Sequence, residues 1–357
     1  MTTMQIDQAK AEAFAGKMVA VLNDSCIALL SSIGHQTGLF DSMADLPPST
    51  SEQIASAAGL QERYVREWLG GMVTGGVIEY DPSGKTYRLP PEHAAFTTRA
   101  AGPDNFAFFF QYLPLMGVVE PQIIDVFRKG GGVPYSAYPK FQELQREETA
   151  RVYDAALLDV ILPFTGPVLE RLKTGGAEVL DIGCGGGHAI NVMARAFPNS
   201  RFTGYDFSEE GCAIGRAEAA EWGLTNARFV VKDVSQLDEA GAYDLITAFD
   251  TVHDQAWPRK VLAGVSRALK ADGTFLMADI NASSNLEENL EHPIAPALYT
   301  FSTLHCMTVS LALGGEGLGT CWGEQKALEL LKDAGFNRVE TQSVEGDVFN
   351  LYYVCRK

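Results

Sequence analysis

The sequence predicts an α/β protein: a doubly wound, mostly parallel sheet in the C-terminal half, behind a mainly helical N-terminal half. Three observations carry this. Apolar residues recur at helical spacing through most of the first 173 positions. From Ala177 onward, short β-rich runs alternate with helical segments, the pattern of parallel strands joined by helices. The first of those runs ends in a glycine-rich turn that opens a helix. A chain of 357 residues, at about 100–200 residues per domain, has room for two such units. The boundaries fall at 1–100, 101–176 and 177–357.

Residues 10–33 place Phe14, Met18, Val21, Leu22, Leu29 and Ile33 at helical spacing. Ser49-Thr50-Ser51-Glu52-Gln53 is a run of capping residues opening a helix over Ile54–Ala58, which Gly59 stops. A second helix covers Glu62–Thr74 and ends at Gly75-Gly76. Val77–Tyr80, the turn Asp81-Pro82-Ser83-Gly84 and Lys85–Leu89 then read as a short two-stranded wing. Helix, turn, helix and wing make a winged-helix module. Its second helix offers only Arg63 and Arg66, and its wing Lys85 and Arg88, a thin basic face for phosphate. A dimerising or substrate-covering role fits better. Residues 104–173 are again helical, rich in aromatics (Phe106, Phe108, Phe109, Phe110, Tyr112), and broken by the loop Gly130–Pro134.

Composition narrows the function. Hydrophobic residues at 46% and charged residues at 20% describe a globular chain. Twenty-eight basic against 45 acidic residues leave a net charge of −17, a poor match to a phosphate backbone or an anionic membrane. Nucleic acid and membrane are therefore not expected partners. The six cysteines (Cys26, Cys184, Cys212, Cys306, Cys321, Cys355) have no regular spacing and read as reduced thiols. The first residues, MTTMQIDQAKAEAF, show no basic region followed by an apolar run, and the apolar stretch Phe106–Val119 is too short to span a bilayer. The expectation is a soluble, cytoplasmic protein.

The strands are expected at Glu178–Ile182, Arg201–Tyr205, Arg228–Val231, Tyr243–Ala248 and Gly273–Ile280. An antiparallel hairpin, Arg338–Val344 and Phe349–Cys355, closes the sheet. No period of 20–50 residues repeats, so a solenoid is excluded. Val179–Gly187 runs from strand to glycine loop to helix. Glycines let the backbone approach a ligand closely, and the helix start presents free N–H groups. Asp181 before the loop repels pyrophosphate but suits an ammonium group. Asp206 ends the next strand, where a carboxylate can take two ribose hydroxyls. Asp233 ends the third, where it could accept from an adenine amine or simply cap a helix.

Those residues resemble class I S-adenosylmethionine-dependent methyltransferases, with Asp181, Gly183, Gly185 and Gly187 as the signature loop. The resemblance implies a Rossmann-like sheet of seven strands, the last antiparallel, and S-adenosyl-L-methionine across the strand ends. Asp206 would hold the ribose, Asp233 and the Val234 backbone the adenine, with Phe207 and Phe249 also lining the cofactor. An N-terminal winged helix that dimerises and roofs the active site is the layout of many small-molecule methyltransferases, so a homodimer and a small-molecule acceptor are expected.

The fourth strand leads into Phe249–Asp254. His253 could serve as general base, oriented by Asp254 or another acid. This stretch is similar to the His-Asp motif of winged-helix O-methyltransferases, although Gln255-Ala256 here separate the pair from Trp257. The insertion 281–323 after strand five carries Leu304-His305-Cys306-Met307 and then a glycine-rich run, 314–319. It lies beside the strand-four edge, so His305 could face His253, or be a core residue. Two neutral imidazoles could hold iron, zinc or a similar metal. A 2-oxo acid could chelate that metal, which would stabilise the enolate that accepts the methyl group. The arrangement resembles metal-dependent 2-oxo-acid C-methyltransferases of the phenylpyruvate type. That resemblance implies His253 and His305 as ligands and Asp254 as a supporting or base residue. Two alternatives stand beside it: metal-free O-methylation with His253 as base, and a cofactor-sensing regulator that binds DNA through the winged helix.

Overall fold

The structure is a computed structural model and describes residues 6–357. Residues 1–5, the start of the segment read for a leader, lie outside the described residues. The chain forms two compact units, 1–117 and 118–357, so the segment 101–176 is shared between them.

The first unit opens with α1 (Gln8–Gln36), capped by the Asp7 side chain, and α2 (Leu39–Ala44). In α3 (Ser51–Ala58), Thr50 and Gln53 cap each other's backbone N–H groups, and Gly59 ends the helix at φ +67°. The expected helix at 54–58 thus starts one turn earlier, at the cap itself. Next come α4 (Glu62–Thr74), the wing strands β1 (Glu79–Asp81) and β2 (Thr86–Arg88), α5 (Pro91–Ala94) and α6 (Phe106–Phe109). Phe40, Ile54, Leu69 and Met72 are fully buried at the centre, and Trp68 donates its indole N–H to the Leu30 carbonyl at 2.8 Å. Of the aromatics near 104–112, Phe108 and Tyr112 are buried whereas Phe106 is largely exposed.

Among the described residues, two helices are long and apolar enough to cross a membrane, by length and composition: Gln8–Gln36 and Phe106–Lys129. This corrects the expectation that the longest apolar run is too short. The helical path continues through Glu120 to Lys129, and α1 had been weighed only as an amphipathic face. Phe14, Met18, Leu22 and Ile33 of α1 are all exposed, as are Val19 and Val21, so the helix leaves a broad apolar face uncovered.

Helix α7 (Tyr112–Lys129) crosses the boundary between the units. The second unit continues with α8 (Phe141–Ala156) and α9 (Pro167–Thr174), and then alternates: β3 (Glu178–Ile182), α10 (His188–Ala196), β4 (Arg201–Asp206), α11 (Glu209–Glu221), β5 (Ala227–Val231), β6 (Tyr243–Phe249), α12 (Pro258–Ala268), β7 (Leu269–Ile280). The insertion holds α13 (Ala295–Phe301), a π turn (Ser302–Cys306) and α14 (Met307–Ala312). Helix α15 (Gly323–Asp333), β8 (Arg338–Gln342) and β9 (Asn350–Arg356) complete the chain.

The seven strands lie in the order β5-β4-β3-β6-β7-β9-β8, with β9 antiparallel to both neighbours. Strand β7 begins four residues before the expected Gly273, because Leu269 pairs with Tyr243 across a register shift. One face of the sheet buries Val261 and Leu262 of α12 with Leu330 and Leu331 of α15; the other buries Ile190 and Met193 of α10 with Val168 and Leu172 of α9. Strand order reverses between β3 and β6, and the crevice beyond their carboxyl ends is where open α/β sheets take ligands.

Candidate active site

The glycine loop leaves β3 and turns back on itself. The N–H groups of Gly183 and Cys184 both donate to the Tyr205 carbonyl, at 2.7 and 3.1 Å. Gly183, Gly185 and Gly187 have φ of +64°, +49° and +70°, a region that costs other residues energy. Space is equally restrictive: a Cβ on Gly183 would collide with Thr251, and one on Gly187 with the Phe229 ring. Asp206 organises the loop, accepting from the Gly185 N–H and the Ser208 N–H at 2.8 Å each. Burial raises its carboxyl above the usual range, against the pull of those two donors. Asp181 is buried and accepts from the Thr247 hydroxyl at 2.7 Å. Burial pushes its carboxyl up to about 7, the Thr247 bond opposing and the Asp206 charge adding.

The other cofactor candidates are less enclosed. Asp233 is exposed and caps a short 3-10 turn, accepting from the Ser235 N–H at 2.9 Å and the Gln236 amide at 3.2 Å. Val234 behind it is buried. Phe207 is half exposed with its ring 5.1 Å from that of Tyr135, and Phe249 packs 4.7 Å from the Tyr153 ring.

Beyond β6 the chain forms a second, deeply buried polar cluster. Asp250, at φ +50°, follows the strand end and still donates its N–H to the Ala278 carbonyl of β7 at 3.0 Å. His253 follows on a 3-10 turn, 3% exposed. Its Nδ1 donates to Asp279 Oδ1 at 2.7 Å, the same oxygen that takes the Trp322 indole N–H at 2.8 Å. Asp279, at the end of β7, is therefore the acid that orients the ring, and its partner nitrogen Nε2 faces Asp254 Oδ1 at 3.4 Å. Asp254 Oδ2 accepts from the Tyr135 hydroxyl at 2.7 Å and lies 3.8 Å from His305 Nδ1. The structure thus brings His253, Asp254 and His305 together, with the carboxylate between the rings.

His305 is boxed by aromatics. Phe141 stacks on it at 4.3 Å, and Tyr135 and Tyr138 stand edge-on at 5.1 and 4.8 Å. The Tyr138 hydroxyl donates to the Leu304 carbonyl and fixes the turn. The two imidazoles are electrostatically unlike. Burial depresses His253, but the Asp279 and Asp254 charges outweigh it and hold the ring well above the usual histidine range. Burial drives His305 down to about 4, with Asp254 opposing and His253 adding.

The donor chemistry fits a cation. His253, Asp254 and Cys306 offer ligand atoms within 4.8 Å of one another. Asp254 Oδ1 and His305 Nε2 are buried with no hydrogen-bond partner among the described residues. Sequence reasoning missed Asp279, Tyr135 and Cys306. Asp279 carried the same strand-end signal as Asp181 and Asp206, and Cys306 adjoins His305. Tyr135 gave no signal beyond an aromatic near the glycine loop at 130–134.

A glycine loop on strand β3, an acid ending β4 and a polar cluster after β6, on this strand order, define the class I methyltransferase fold. Residues 173–335 match the Methyltransferase domain family, and residues 25–99 the Rv2258c-like winged HTH domain family. The chain thus joins a winged helix-turn-helix domain to a methyltransferase domain. Among similar sequences, the ubiquinone biosynthesis O-methyltransferase of Cronobacter sakazakii is 32% identical over 111 residues, 30% of this chain and 44% of the relative. That of Xanthomonas axonopodis pv. citri is 29% identical over 116 residues, 32% and 47% of the two chains. The chain spans about half the length of the curated relatives it matches. The fold is shared along the whole chain with human N-acetylserotonin methyltransferase bound to S-adenosylmethionine (TM-score 0.69, 16% identity, 100% of this chain and 99% of that one). The mitomycin 7-O-methyltransferase is also similar, at TM-score 0.69 and 20% identity over 98% and 100% of the two chains.

Proposed function

We propose that the chain is an S-adenosylmethionine-dependent methyltransferase of a small molecule. Its favoured reaction is C-methylation of a 2-oxo acid chelated to a divalent metal such as iron or zinc. The carrying observation is the pair of buried, unpartnered atoms, Asp254 Oδ1, which lies 3.4 Å from His253 Nε2, and His305 Nε2. Each unmade buried hydrogen bond costs about 1–3 kcal/mol, so a cluster that leaves two open is shaped for an occupant. His253 and His305 would hold the metal, one on each side of Asp254. When bound, the metal supplies Lewis acidity to the keto oxygen of the acceptor. Asp279 fixes the His253 ring, Tyr135 fixes Asp254, and the aromatic box around His305 excludes water. The cofactor would lie along Asp181, the glycine loop and Asp206, with Phe207, Asp233, Val234 and Phe249 at its edges.

The test is methyl transfer to aryl and alkyl 2-oxo acids by protein purified without chelators. Product that disappears on chelation and returns with added metal supports the reading; transfer indifferent to chelators refutes it. A second reading, metal-free O-methylation with His253 as base, is favoured by the names of the relatives and solved structures and predicts that indifference.

Two partner assignments complete the proposal. The exposed apolar side chains along α1 are best covered by a second copy of the chain, giving a homodimer, since the net charge of −17 opposes an anionic bilayer. DNA binding is disfavoured because three of the four basic groups named in the winged helix are already paired: Arg63 with Glu67, Arg66 with Glu62 and Arg88 with Glu79. The free thiols of all six cysteines accord with a cytoplasmic location.

A further inference from the structure

We propose that Cys306 is a metal ligand, its Sγ binding the ion together with His253 Nε2 and Asp254 Oδ1, so that the centre is a nitrogen, oxygen and sulfur site. This rests on the metal reading above and adds a thiolate and a carboxylate to its two imidazoles.

Two observations converge on the thiol. It is buried at 8% exposure, and its sulfur, a His253 ring nitrogen and an Asp254 oxygen are mutually within 4.8 Å. And Cys306 ends the π turn Ser302–Cys306, an irregularity that often marks a functional site inside a helix. The other corners are prepared for a cation. Asp279 takes Nδ1 of His253 and leaves Nε2 directed at the triangle, the carboxylate–histidine arrangement common behind metal ligands. Asp254 Oδ1 has no hydrogen-bond partner among the described residues. His305 meets the same carboxylate from its other oxygen, at 3.8 Å, and its ring is held by the Phe141 stack.

The donor set decides which metals fit. A thiolate with imidazole and carboxylate suits zinc, cobalt(II) or iron(II), and discriminates against magnesium and calcium, which take oxygen ligands. Four protein donors leave two positions of a six-coordinate ion for the two oxygens of a chelating acceptor. Binding replaces the S–H bond by a sulfur–metal bond and releases the thiol proton to solvent.

The experiment uses the full-length protein stripped of metal and titrated with cobalt(II), read by absorption, with Cys306→Ser and Cys306→Ala alongside. Wild type is expected to bind one equivalent and to develop near-ultraviolet sulfur-to-cobalt charge-transfer absorption. Both variants should lose that absorption and bind cobalt more weakly by over the about 10–100-fold typical of losing a supporting residue. Affinity for S-adenosylhomocysteine, measured in parallel, should be unchanged and reports that the variants are folded. Stoichiometric cobalt without the charge-transfer absorption, or absorption that survives in Cys306→Ser, would overturn the assignment of Cys306 and leave the metal reading standing. Wild-type protein that binds neither cobalt nor zinc would overturn both.

Discussion

Replacing Asp206 by alanine tests the cofactor site at its most connected residue. The carboxylate is 6% exposed and satisfies two backbone donors, the Gly185 and Ser208 N–H groups, at 2.8 Å each. Its remaining lone pairs are the ones proposed to receive the ribose hydroxyls. Asp206→Ala therefore removes two kinds of interaction. Leaving two backbone donors unmade should lower stability by about 2–4 kcal/mol. Losing two charge-assisted hydroxyl bonds should weaken binding by about 2–4 kcal/mol, roughly 30- to 1,000-fold in affinity. Asp206→Asn keeps the shape but presents an amide to one of the two donors, and should fall between. The assay is calorimetric titration with S-adenosylhomocysteine, with thermal melts to separate the stability loss. Folded Asp206→Ala that binds S-adenosylhomocysteine as tightly as wild type would refute the reasoning.

The buried Asp181 carboxyl, raised to about 7 from an ordinary 3.8, makes stability depend on pH. The protonated form is favoured in the folded chain, so its contribution is complete below about 3.8 and is lost as pH rises through about 7. Asp181→Asn should remove that fall in melting temperature between about pH 4 and 7; an identical pH profile would discard the assignment. Deleting residues 1–33 removes most of the exposed apolar helix and should give monomers or insoluble protein, and a soluble dimer on a sizing column would contradict the proposed interface. His253→Ala and His305→Ala should lose metal and activity together while keeping S-adenosylhomocysteine affinity. If His253 is instead a metal-free base, only its loss is severe, by about 10²–10⁴-fold, and metal analysis of both variants separates the cases.

Much of this was legible in the chain before folding. The strand–loop–helix at Val179–Gly187 could be placed because glycines with positive φ leave a local signature, and β3 ends and α10 begins on either side of it. Asp206 was legible for the same reason, as a carboxylate closing an apolar run. Long-range placement was less so. Asp279 and His253 are 26 residues apart and meet only because β6 and β7 are adjacent in the sheet. Tyr135 reaches Asp254 across 119 residues, and no local pattern encodes that distance. The short helices α2 and α5 escaped because four to six residues are too few to show a period. Helix α1 was read as one apolar face, and its exposed apolar side chains do share one broad side.

The central claim is that the cofactor lies over the glycine loop with its reactive end toward the His253–Asp254–His305 cluster. A crystal structure with S-adenosylhomocysteine bound tests it most directly. The account predicts ribose hydroxyls on Asp206, the amino group near Asp181, and the sulfur directed at the cluster beyond β6. S-adenosylhomocysteine bound elsewhere, or bound in the loop with its sulfur turned away from His253, would contradict it.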